Sequence, residues 1–86
     1  MPEISRFYGI VIKMYFNDHA PPHFHAEYGD HEAVLNIDPL AIIAGRLPPR
    51  ATGMVMGRAL SHQVELQKAW DKAKNLEAPR KIDPLP

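Results

Sequence analysis

Apolar and polar positions alternate along the first half of the chain. From Tyr8 to Phe16, residues Tyr8, Ile10, Ile12, Met14 and Phe16 share one face at period two, and Gly9, Val11, Lys13 and Tyr15 share the other. This pattern predicts a strand. Asn17-Asp18-His19-Ala20-Pro21-Pro22 follows as a loop, because two successive prolines cannot donate to a strand ladder. Alternation resumes over His23–Tyr28 and His31–Ile37, and Gly29-Asp30 between them suits a two-residue hairpin turn. That turn sets Tyr28 opposite His31, Ala26 opposite Ala33 and Phe24 opposite Leu35, an apolar face. On the other face Glu27 lies opposite Glu32, His25 opposite Val34 and His23 opposite Asn36. A slip of one residue would mix the two faces.

Residues 40–44 are short and apolar and predict a fourth strand, with Gly45-Arg46-Leu47-Pro48 as a turn. Beyond it the period changes to that of a helix. One long helix is expected from Pro49, a residue suited to a first helical turn, to about Asn75, with Pro79 preventing its continuation. Val55, Ala59, Leu66, Trp70 and Ala73 form its apolar stripe, with His62 in the middle and Arg58 at the border. Arg50, Lys68, Asp71 and Asn75 point away. The tail, residues 79–86, contains Ile82-Asp83-Pro84-Leu85, a second copy of Ile37-Asp38-Pro39-Leu40, and could add an edge strand. The expected architecture is a single α+β domain over residues 1–86. Residues 1–45, mainly strands, form an antiparallel sheet of three to five strands packed against one long C-terminal-half helix over 49–75.

The chain has 86 residues, enough for one small domain. It has no cysteine, which excludes disulfides, a thiol nucleophile and a cysteine zinc site. Ten basic residues balance ten acidic ones, and this argues against a strongly basic nucleic-acid binder. The balance hides a polarity: residues 1–45 carry a net −4 and residues 46–86 a net +4. Either the halves attract each other on folding, or a basic helix face is offered to an acidic partner or RNA. No apolar run approaches the roughly 20 residues of a membrane span, and no leader pattern opens the chain. The expectation is a cytoplasmic protein with no membrane contact.

The densest chemistry lies in Asp18-His19-Ala20-Pro21-Pro22-His23-Phe24-His25-Ala26-Glu27. His23, His25 and Glu27 share one strand face, and Glu32 is their cross-strand neighbour. Two imidazoles and one or two carboxylates could hold a divalent metal through nitrogen and oxygen. They could instead act as general acid and base, since histidine titrates near neutrality, or simply be structural, bonding the Pro-Pro loop. Glu27 and Glu32 repel unless a cation or a shared proton intervenes. His62 reads either as a hydrogen-bonded core residue or as part of a site with His31 or Tyr28 on the core side. It could join His23 and His25 only across a bulge or at a sheet edge. Arg50 and Arg58 belong to a solvated face or contact phosphate. There is no glycine-rich phosphate loop, nucleophile elbow or nucleic-acid-binding signature.

Three runs, Pro2-Glu3-Ile4-Ser5-Arg6-Phe7-Tyr8-Gly9-Ile10, Met14-Tyr15-Phe16-Asn17-Asp18-His19 and Pro21-Pro22-His23-Phe24-His25-Ala26-Glu27-Tyr28-Gly29, resemble the bacterial domain of unknown function 4160 family. Gly45-Arg46-Leu47-Pro48, the helical His62, Glu65, Leu66 and Trp70, and the closing Ile82-Asp83-Pro84-Leu85 are similar too. The resemblance implies a small prokaryotic protein, the toxin-like member of a type II toxin–antitoxin pair. Its genes often adjoin one for a second small domain, which implies a cognate antitoxin-like partner. The expected action is on RNA or translation, through His23, His25 and Glu27 with support from Glu32 and His62, and with Arg50 or Arg58 on phosphate. The alternatives are a non-enzymatic binding or regulatory module, with Val11, Tyr15 and Val34 in a protein interface such as a homodimer, and a His/Glu metal-binding protein.

Overall fold

The computed structural model describes residues 3–15 and 21–74. Phe16, the loop residues 17–20, Asn75 and the expected tail strand lie outside the described residues. Five strands, β1 (Glu3–Phe7), β2 (Ile10–Lys13), β3 (His23–Tyr28), β4 (His31–Asn36) and β5 (Ala41–Arg46), pair in chain order as one antiparallel sheet. Two helices follow, α1 (Pro49–Ser61) and α2 (Gln63–Lys74). The α+β class is as expected. Among the described residues no helix is long and apolar enough to cross a membrane.

The β3–β4 hairpin has the expected register, with all six pairs from His23–Asn36 to Tyr28–His31. Phe24, Ala26, Ala33 and Leu35 are accordingly buried. They join Ile4, Phe7, Ile10, Ile12 and Met14 in one core with Ala51, Val55, Ala59, Leu66, Ala69, Trp70 and Ala73 of the helices. The five-residue helical stripe read from the sequence lies wholly in this core.

The first expected strand is instead a hairpin. The chain reverses at Tyr8 and Gly9, with φ of 49° and 80°, so that Glu3–Phe7 pairs with Ile10–Lys13. Tight hairpin turns need positive φ at both central positions. Gly9 adopts it freely, whereas for Tyr8 it costs about 1 kcal/mol. Tyr8 is thus lifted off the apolar face on which the alternation placed it, and is 63% exposed.

β5 runs through Gly45 and Arg46, two residues expected in a turn. The ladder shifts register between Val34 and Leu35, which takes up the extra residue. Gly45, at φ 71°, lies so close to β4 that a Cβ would sit 2.2 Å from the Glu32 carbonyl oxygen.

The one long helix is broken at His62. Its N–H bonds the Ala59 carbonyl at 3.2 Å, a three-residue step, and its φ of −129° leaves the helical region. Helical bonding resumes with Leu66 N–H to the His62 carbonyl at 2.9 Å. The side chain of His62 spans the step, bonded backwards to Arg58 and forwards to Glu65. The redirected α2 is fastened to the sheet by Gln63 Nε2 donating to the Ile37 carbonyl at 2.8 Å.

Two glycines should respond oppositely to alanine. Gly45→Ala drives a Cβ into backbone at a left-handed φ and should cost at least about 2 kcal/mol. Gly53→Ala, in α1 with open space around it, should add about 0.5–1 kcal/mol. Urea denaturation midpoints at an unchanged slope check both.

Candidate functional site

Strand parity brings His23, His25 and Glu27 to the sheet face opposite the helices, and the β4 register brings Glu32 beside them. His25 Nδ1 lies 3.2 Å from Glu32 Oε2, and His23 Nδ1 lies 2.7 Å from the Pro21 carbonyl oxygen. Each oxygen accepts, so in the neutral ring Nδ1 carries the hydrogen and Nε2 is the basic nitrogen. The Pro-Pro loop thus orients His23, as the structural reading of the sequence expected.

Sequence reasoning missed Lys13 of β2. Its Nζ sits 3.1 Å from Glu27 Oε1, and its register partner across the ladder is His25. The hydrogen bond to Glu27 holds the ammonium protonated above the usual lysine range. This pair's stabilisation is therefore complete at neutral pH and fades only as pH rises through the raised value. The signal was available, because parity already put Lys13 on the face with Val11 and Tyr15. The repulsion expected between Glu27 and Glu32 is relieved without a shared ion, since each carboxylate has its own partner. Among the described residues no three histidine or carboxylate side chains gather as metal ligands do.

A row of rings borders the face. Tyr15 meets His25 edge-on at 4.5 Å, His25 meets His23 at 5.5 Å, and His23 meets Trp70 of α2 at 5.0 Å. His23 therefore touches a helix residue at the end of the sheet, although its strand face is the outer one. Trp70 serves both the core and this row.

His62 lies elsewhere. Its Nδ1 bonds Glu65 Oε1 and its Nε2 accepts from Arg58 Nη1 at 2.5 Å. Among the described residues its side-chain partners are these two, which fits the reading of a hydrogen-bonded residue, and His31 and Tyr28 of the other reading are not among them. Arg58 is 7% exposed, with its guanidinium carbon 5.9 Å from the centre of the Phe7 ring. Among the described residues its Nε and Nη2 have no partner, nor does the buried Ser5 hydroxyl. The cavity beside them, bounded by Arg58, Ser5 and His62, measures about 10 Å³, room for one water and no substrate. Arg58 is thus buried in the core, not on a solvated face. Arg50 is exposed at the start of α1, so neither arginine adjoins the histidine face.

Residues 9–71 match the profile of the family described as a domain of unknown function (DUF4160), and the chain belongs to that family. No curated protein and no solved structure matches the chain.

The buried relay gives an ordered pair of mutant effects. His62→Ala strips Arg58 of its one side-chain acceptor and should cost about 2–4 kcal/mol. Arg58→Met replaces the charge by an apolar group of similar length and should cost less than about 1.5 kcal/mol. Chemical denaturation of the two variants beside the wild type decides the order.

Proposed function

We propose that the chain is the toxin-like member of a bacterial two-protein pair, and that it acts on RNA of the translation machinery through the His23/His25 face. The observation that carries this reading is the pair of imidazoles 5.5 Å apart, each with Nδ1 held by an oxygen. Of the two rings, His25 has its Nε2 sealed from solvent, so His23 meets the substrate and His25 backs it. His23, its ring held by the Pro21 carbonyl, takes the proton of an RNA 2′-hydroxyl through Nε2. The 2′-oxygen attacks phosphorus, and the departing 5′-oxygen takes that proton from His23. Lys13 supplies the nearest cation for the charge that builds on phosphate.

A second reading, a non-enzymatic binding module, is favoured by β5. This edge strand carries Ile42 and Ile43 exposed, and an open edge is a template for another chain. In the toxin-like reading the same edge receives the antitoxin-like partner.

His23→Ala should lower RNA cleavage by the purified chain about 10²–10⁴-fold. Glu32→Gln, which keeps an acceptor but loses the charge, should lower it less. Cleavage at the wild-type rate by the His23→Ala, His25→Ala double variant, with circular dichroism unchanged, would remove this mechanism.

A further inference from the structure

A second cluster, away from the histidines, surrounds the tip of the β1–β2 hairpin. Tyr8 and Tyr28, 63% and 38% exposed, line a cleft of about 190 Å³ with Arg50 and Met54 of α1. Gly9 brings the hairpin tip against the Tyr28 ring, and its φ of 80° is the conformation that needs glycine there. Tyr8 holds its place in the left-handed region that tyrosine rarely adopts. Arg50 is exposed and, among the described residues, unpaired. The first turn of α1 carries no acidic residue, and the helix begins without a side-chain cap.

We infer that this cleft binds one nucleotide of single-stranded RNA, its base stacked on the tyrosines and its phosphate on Arg50. The inference rests on the RNA reading above and adds where the strand is held. Three properties select this occupant. Aromatic faces take any base. The charge beside them is positive at Arg50, and the N-terminal end of a helix adds to it. The volume suits one ring system and falls short of the several hundred Å³ a larger ligand fills. Pro48 is shared with a neighbouring cleft of about 380 Å³ bounded by His31 and Arg46, so a strand leaving the first cleft meets a second cation. That continuation favours a polymer over a free nucleotide.

The test is fluorescence anisotropy of the full chain with a fluorescein-labelled ten-nucleotide RNA. Tyr8→Gly keeps the turn, since glycine accepts its φ, and should weaken binding roughly five- to a hundredfold. Arg50→Gln should weaken binding and reduce the slope of log affinity against log salt by about 0.7. Thermal midpoints no lower than wild type for Tyr8→Gly confirm that the fold persists. Wild-type affinity in both variants overturns the proposal. So does adenosine monophosphate displacing the RNA at concentrations equal to the RNA itself, which identifies a free nucleotide as the ligand. Binding lost in both variants, with no RNA cleaved by the wild type, upholds the cleft and removes the cleavage chemistry alone.

Discussion

The two-residue turn between β3 and β4 sets the parity of every side chain in the middle of the sheet. With Tyr28 opposite His31, the buried set is Phe24, Ala26, Ala33 and Leu35, and the outward set is His25, Glu27, Glu32 and Val34. A shift of one residue would exchange them. Each large apolar side chain moved to water forfeits about 1.5–3 kcal/mol, and each carboxylate moved into the core costs several kcal/mol more. The histidines stand on the open face because the core must be filled by their neighbours. Their alignment needs no device beyond the packing, and Glu32 and the Pro21 carbonyl only refine the ring angles.

A buried charge organises the helical layer in a similar way. Arg58 enters the core among apolar residues, and a guanidinium there requires acceptors. His62 supplies one by turning its ring toward Arg58, and Glu65 holds the other ring nitrogen. The relay sits where the helix steps at Ala59–His62 and continues as α2. The step has structural consequences at both ends of α2. Gln63 is placed on the Ile37 carbonyl just beyond β4, and Trp70 reaches the ring of His23. The helix break and the histidine row are therefore joined through one rigid element.

What the sequence made legible was what side-chain periodicity determines. The β3–β4 register, the core-facing stripe of the helices and the common face of His23, His25 and Glu27 all follow from alternation or from 3.6-residue spacing. The failures have local causes that hydrophobic pattern does not encode. Tyr8 continued the alternation of Ile10 and Ile12, yet the backbone reverses there because Gly9 permits it and Tyr8 tolerates it. Gly45 looked like a turn signal, whereas its lack of a Cβ serves close strand packing. The break at His62 falls among Arg58, His62 and Glu65, none of which is a helix breaker by propensity. Arg58, read at the border of the stripe, is inside it because a partner four residues away accepts its hydrogen bond. Lys13 was readable by parity and was passed over because a lone lysine on a strand carries no motif.

A chain of zero net charge can still be selective for RNA if its contacts are local. Binding that relied on overall charge would be nearly blind to sequence and would fall steeply with salt. Here the acidic half of the chain contributes the histidine face and the tyrosine rings, and the basic half contributes Arg50 at the start of α1. Strand β3 connects these features directly. Glu27 points to the open face and Tyr28, the next residue, to the side on which α1 lies, so one strand end borders both the proposed chemistry and the proposed nucleotide cleft. From His25 to Tyr28 is about 10 Å along the strand. An RNA strand gripped at the cleft would need only a few nucleotides to pass around the sheet end to the imidazoles. In that arrangement affinity comes from stacking and a small number of cations.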